Sequence, residues 1–208
     1  METEINIHPH SVAYHKKSKN ELDMFAYYIV KILARSMDIV FGNRYGHRAV
    51  VLETIAAVPG MVGGMVQHLR SLRHISDDHG WIHTLLDEAE NERMHLMVYS
   101  HIAKPNTLEK IMIFLIQFIF AIIYFVIYFI SSKTAHRIVG YFEEEAIHSY
   151  NKYLSMVEDG THHDVKAPEI AIKYWDLSTD ATLRDVIIAT RNDEMRHRDV
   201  NHKFADTL

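Results

Sequence analysis

The 208-residue chain contains no cysteine, which excludes disulfides, iron-sulfur clusters and thiolate zinc sites. Any metal it binds must take oxygen and nitrogen ligands. Glycine and proline are sparse, at 8 and 4 residues, and no stretch shows the alternation of a β-strand. The expectation is therefore an all-α chain. Positive charge is not in excess, with 22 basic against 27 acidic residues and a formal net charge of −5, so nucleic acid is not an expected partner. The opening METEINIHPHSVAYHKK has no signal-peptide apolar region and no arginine-rich transit pattern, which suggests the cytoplasmic face of a bacterial inner membrane. The length fits one domain with a sizeable core: a polar arm over 1–19 and a helical domain over 20–208.

Against these absences, one motif occurs twice. Glu92 and His95 in NERMH are matched by Glu194 and His197 in NDEMRH, and single glutamates, Glu53 and Glu143, lie on two further helical stretches. Residues three apart project from the same helix face, so each Glu-x-x-His pair offers one carboxylate and one imidazole to a metal beside the helix. Two such helices, with two more each giving a Glu, form the ligand set of ferritin-like two-metal bundles. A lone Glu-x-x-His would read as a solvated helix face. Here the apolar stripe Leu183, Val186, Ile187 and Phe204 also carries Thr190, Glu194, His197 and Asn201, so the ligands point inward. The stripe through Val139, Ala146, Ile147, Tyr150 and Leu154 selects Glu143 from the run 143–145. Leu85, Ala89, Leu96 and Tyr99 do the same for Glu92 and His95, with Glu88 a fallback ligand one turn earlier. Glu53 sits in a stretch apolar on nearly every side, where an unpaired carboxylate is costly and a metal resolves the cost.

Helices are expected over residues 20 to about 40, 47 to 74 with Pro59 marking a kink or close contact, and from an Asp77 or Asp78 cap to about 102. Others follow over 108–131, 134–158, 169–175 and 182 to about 205. Residues 111–130 contain Gln117 as their only strongly polar side chain, long enough to span a bilayer. Ligand geometry opposes that. From Glu92 the chain climbs about 16 Å, descends about 36 Å through this helix and climbs about 15 Å to Glu143, at a rise of about 1.5 Å per residue. The segment therefore suits the long crossover of a ferritin-like bundle. Its outer face, and that of the helix over 20–40, calls for a lipid cover, with Lys104, Lys110, Lys133 and Arg137 placed for anionic headgroups. The expected architecture is a ferritin-like four-helix bundle with two extra apolar helices lying in one leaflet, monotopic in the membrane; a dimer interface is the alternative use of the same faces.

The motifs LET at 52–54, NERMHL at 91–96, FEEEA at 142–146 and NDEMRHRDVNH at 192–202, in this order, resemble the alternative oxidases. The resemblance implies a cyanide-insensitive quinol oxidase, monotopic and often a homodimer, that passes electrons from ubiquinol to O2 at a non-haem centre of two Fe ions. It implies Glu53, Glu92, His95, Glu143, Glu194 and His197 as ligands and Tyr150 as a catalytic electron donor or radical site. It places Arg48, Leu52, Glu145, Ala146 and Ser149 in the quinol pocket, with Asn91 and Asp193 orienting the imidazoles. The family's commonest residues differ at Phe142, Ser149, Met195 and Arg196, and the regulatory cysteine of plant members is missing. A quinone-ring hydroxylase and an iron-binding protein of the ferritin type are the rival readings. His8, His10, His15, His162 and His163 are read as solvated, His136 as near a membrane-side cavity, and Trp81 and Trp175 as packing anchors. Tyr124 and Tyr128 are expected to meet a headgroup or a core partner.

Overall fold

A computed structural model describes residues 11–208. His8 and His10 lie outside the described residues. The chain forms α1 (Glu21–Phe41), α2 (Tyr45–His74), α3 (Trp81–Ala103), α4 (Thr107–Ile130), α5 (Ser132–Glu158), α6 (Glu169–Trp175) and α7 (Leu183–Thr207). Among the described residues the only β-type pairing is one isolated bridge, Lys166 with Thr182. The fold is all-α, as the lack of alternation implied.

Two helix pairs, α2 with α3 and α5 with α7, join through α2 against α5 and α3 against α7 to make a four-helix bundle. Pro59 does not break α2, whose helix continues through it. The small residues beside it serve close packing: a Cβ on Gly60 would stand 2.3 Å from the Leu85 carbonyl oxygen of α3. The helix starts follow local chemistry. Asn106 and Glu109 form a capping box at α4, and Thr182 and Asp185 another at α7. At α3 the formal cap is Gly80, in the left-handed region with φ 81, but the Asp78 carboxylate still accepts from Ile82 N at 2.7 Å.

Outside the bundle, α4 packs on α2 and α5, α1 mainly on α5, and α6 on α3. Only Tyr124 and Tyr128 of α4 are buried, while Phe114, Phe118 and Phe129 are 63%, 58% and 72% exposed. α1 buries Ala26 and Val30 against Ile138 and Tyr141 and turns Phe25, Tyr28 and Ile32 outward. α2 is also long and apolar enough to cross a membrane, but 56% of its apolar window is buried, against 11% for α4. α2 is a core helix.

Residues 11–19, the polar lead expected from the sequence, contact α5 and α7 through side-chain and backbone hydrogen bonds. His15 Nδ1 lies 2.5 Å from a Glu144 oxygen, and the Lys16 backbone N–H donates to the same carboxylate at 2.8 Å. Lys16 also pairs with Asp206, and Arg198 donates to the Ser11 carbonyl at 2.9 Å. His15 is exposed, as expected for a solvated histidine, and the contact with Glu144 is what the sequence did not signal: a loop carries no periodicity, and the partners of this segment lie on α5 and α7. Beneath this strap Arg137, 1% exposed, donates to Asp23 of α1 at 3.1 Å and to Asp206 of α7 at 2.6 Å. Arg137 is thus a buried bridge rather than a headgroup contact.

Candidate metal centre

All four bundle helices turn a carboxylate into the same buried space. Glu53, Glu92, Glu143 and Glu194 are 1%, 0%, 2% and 1% exposed, and His95 and His197 are 0% and 3% exposed. One ligand atom from each of Glu53, Glu92, His95 and Glu194 lies within 4.8 Å of the others. His197 joins them with Nδ1 at 2.6 Å from a Glu92 oxygen. Glu143 completes the set from α5, lying against the Glu194 carboxylate. The structure therefore brings all six sequence-selected residues together.

Their protonation shows what the site needs. Burial, reinforced by the neighbouring Glu194 and Glu92 charges, pushes the carboxyls of Glu53 and Glu143 well above the usual range. Burial also opposes charge on the imidazoles, but the surrounding carboxylates outweigh it, raising His95 well above its ordinary value and His197 to about 10. The cluster thus gathers protons to offset negative charge packed without solvent. Both oxygens of Glu92, both oxygens of Glu194 and both ring nitrogens of His197 have no hydrogen-bond partner among the described residues. Buried polar atoms are normally paired, and the close His197 Nδ1 contact with Glu92 lacks hydrogen-bond geometry, so these unpaired ligand-type atoms fit a group that coordinates rather than hydrogen-bonds. Oxygen and imidazole donors with four carboxylates match divalent iron or manganese. A metal site is the arrangement these residues fit.

The surrounding side chains are arranged around His95. Its Nδ1 faces the cluster, 3.1 Å from Glu53, while Nε2 lies 3.2 Å from Asp193. Trp175 Nε1 donates to the same Asp193 oxygen at 2.9 Å and Asn91 Nδ2 donates at 3.1 Å. Burial raises the Asp193 carboxyl, but these donors outweigh it and hold it well below the carboxylate range. Asn91 therefore reaches His95 only through Asp193, and its second contact is the Tyr174 hydroxyl at 2.6 Å. Trp175 is more than the packing anchor expected: its ring also stacks on His95 with centroids 5.5 Å apart. Sequence spacing could not find Trp175 or Tyr174, because both lie on the short α6, away from any ligand stripe. Glu88 is buried without reaching the cluster, held instead by Asn201 at 2.9 Å, and burial raises it to about 7. Trp81 fits its expected packing role, stacked on Phe204 with centroids 4.0 Å apart.

Tyr150 donates its hydroxyl to Glu53 and stacks on Tyr99. Of the five residues expected to line a quinol pocket, Arg48, Ala146 and Ser149 are buried and Leu52 and Glu145 partly so. α1 engages two of them, through Asp38 with Arg48 and Lys31 with Glu145. Gln117, the lone polar residue of the apolar run, donates to the Thr54 carbonyl at 3.2 Å, beside Glu53.

The alternative oxidase family model matches residues 4–206. The chain belongs to the alternative oxidase family. It is 55% identical over 185 residues to a mitochondrial ubiquinol oxidase 2 of Nicotiana tabacum, covering 89% of this chain and 62% of that protein. It is 55% identical over 192 residues to ubiquinol oxidase 2 of Glycine max, covering 92% and 58%, and 53% identical over 184 residues to ubiquinol oxidase 1c of Arabidopsis thaliana, covering 88% and 56%. The chain thus spans about three-fifths of the length of these curated alternative oxidase relatives.

Proposed function

We propose that this chain is a membrane-associated, cyanide-insensitive quinol oxidase that oxidises two ubiquinols per O2, giving two quinones and two waters, without pumping protons. The reading is carried by one observation: four buried carboxylates and two imidazoles from four helices meet in one space, with the side-chain polar atoms of Glu92, Glu194 and His197 lacking hydrogen-bond partners among the described residues. Glu53, Glu92, His95, Glu143, Glu194 and His197 would hold two Fe ions. When bound, the iron pair supplies the electron transfer by which O2 is reduced.

The protein's part is orientation and exclusion of water. Asp193 accepts from His95 Nε2, which fixes the tautomer and leaves the Nδ1 lone pair for the metal. Trp175 and Asn91 hold Asp193 in that role. Quinol enters between α1 and α4 towards Arg48 and Glu53, with Leu52, Glu145, Ala146 and Ser149 along the way. Support for this route comes from the ion pairs Asp38 with Arg48 and Lys31 with Glu145, which make α1 one wall, and from Gln117, which brings α4 to the turn beside Glu53. The hydrogen bond from Tyr150 to Glu53 supports a role for Tyr150 as an electron and proton donor to the site, restored by an electron and a proton from quinol.

The outward aromatic and aliphatic faces of α1 and α4 support monotopic seating in one leaflet, since a spanning α4 would set α3 and α5 on opposite sides and part their ligands. A homodimer is part of the proposal, and the exposed row Met61, Met65, Leu69 and Leu72 on α2 offers it a surface. The bacterial address has no support from the mitochondrial relatives, and the proposal stops at membrane association. The test is oxygen uptake by membranes expressing the protein, driven by quinol with cyanide present. Wild type should respire and Glu143→Ala should not; hydroxylated quinone in place of water and quinone would move the assignment to a ring hydroxylase.

A further inference from the structure

A second buried network touches the cage without belonging to it. Asn201 Nδ2 lies 2.9 Å from both Glu88 oxygens and 3.0 Å from the His197 carbonyl oxygen. A backbone carbonyl only accepts, so the amide nitrogen must face it, and Asn201 Oδ1 must be the atom 2.9 Å from His136 Nδ1. His136 Nδ1 therefore carries the hydrogen. Burial disfavours the imidazolium and lowers His136 to about 4, so the ring is neutral and Nε2 is a lone pair. The Tyr128 hydroxyl, 3.2 Å away, donates to it. Each hydrogen in the series is thus assigned, from Tyr128 to His136 to Asn201 to Glu88. Trp81 and Phe204 stand edge-on to the His136 ring at 5.9 and 5.1 Å between centroids and hold it in place.

We propose that Tyr128, His136 and Asn201 are positioning residues: a one-way hydrogen-bond chain that ties the outward-facing α4 to the spacing of the two Glu-x-x-His helices. It rests on the metal-centre reading above. The four members come from α4, α5, α7 and α3, and are 0%, 1%, 1% and 5% exposed. Asn201 follows His197 by one turn and Glu88 precedes Glu92 by one turn, so a single amide spans the two ligand turns. One of its hydrogens is available to Glu88 and the other to His197. With its orientation locked by His136, and His136 locked by Tyr128, the amide cannot invert without stranding a buried donor or acceptor. The seat of α4 and the separation of α3 from α7 are then one mechanical unit.

The test uses the whole chain in detergent, with two readouts. Nitrogen NMR of histidine-labelled protein reads the His136 tautomer, and cobalt(II) alone, followed by its visible bands, reads affinity and geometry at the cage. The expected results are a neutral His136 with hydrogen on Nδ1 at neutral pH and cobalt binding weakened about tenfold to hundredfold by Asn201→Leu, the range for partners of metal ligands. Tyr128→Phe should shift the Nε2 resonance and the cobalt bands while the Nδ1 hydrogen stays. Tyr124→Phe removes a buried hydroxyl that has no hydrogen-bond partner among the described residues and should change neither readout. Should Asn201→Leu not fold, Tyr128→Phe against Tyr124→Phe decides. Hydrogen on Nε2, a charged ring, or a Tyr128→Phe protein with wild-type bands and resonances would overturn the chain. A wild-type protein that takes up no cobalt while His136 shows the stated tautomer would overturn the metal reading, and with it the positioning role.

Discussion

Arg137 is the place where one substitution should loosen both the bundle and its first helix. Its guanidinium is 1% exposed and joins Asp23 of α1, Asp206 of α7 and His202 Nδ1, the last at 2.9 Å. Arg137→Met keeps much of the apolar stem and removes the charge. Asp23, 3% exposed, then keeps its contacts with Lys19 N and its own N-cap turn but loses its cation. Removing one partner of a buried pair costs about 3–5 kcal/mol, because the other charge stays buried. At about 2–4 °C per kcal/mol for a chain of this size, the apparent Tm should fall by about 6–20 °C. Circular dichroism melts in detergent at one fixed scan rate measure it. Adding Asp23→Asn removes the stranded carboxylate, so the double variant should melt above the sum of the single losses. Trypsin should also cut faster at Lys31 and Arg35, since α1 loses its anchor. An Arg137→Met protein within about 1 kcal/mol of wild type, or strict additivity with Asp23→Asn, would refute the reasoning.

Other outcomes follow from single sites. Asp193→Ala frees His95 Nε2, so metal affinity should drop about tenfold to hundredfold, read by chelator competition. Gly60→Ala drives a methyl into the Leu85 carbonyl with no flexible end to yield, and a melt at least as depressed as that of Arg137→Met is expected. His136 has a folded value of about 4, below its unfolded value of about 6.5, so the unfolded chain binds its proton first and stability is lost as pH falls through that window. The loss amounts to about 3 kcal/mol by pH 4. Replacing it in His136→Gln should flatten the stability profile between those pH values, and an unchanged slope in urea titrations would contradict the assignment.

What the sequence made legible, it did through periodicity. Glu143 stood out from Glu144 and Glu145 because only it shared a stripe with Val139 and Ile147, and it alone of the three is fully buried. The outward face of α4 was legible from an unbroken apolar run, and α6 from punctuation around it. Pairings made across the chain had no such signal. Arg137 is on a helix end where a basic residue ordinarily meets solvent or headgroups, yet its partners are 114 and 69 residues away. His15 meets Glu144 across 129 residues of sequence. Asn201 was visible on the α7 stripe, but its partners on α3 and α5 depend on how helices pack rather than on the pattern of one. Trp175 and Tyr174 belong to a short helix whose docking on α3 decides their role.

The central claim is that six side chains form a cage for two metal ions, and metal content measures it most directly. Protein purified after expression with iron should carry two Fe ions per chain, and Glu92→Gln with Glu194→Gln should carry none. A catalytically active wild-type preparation holding no iron or manganese would contradict the account.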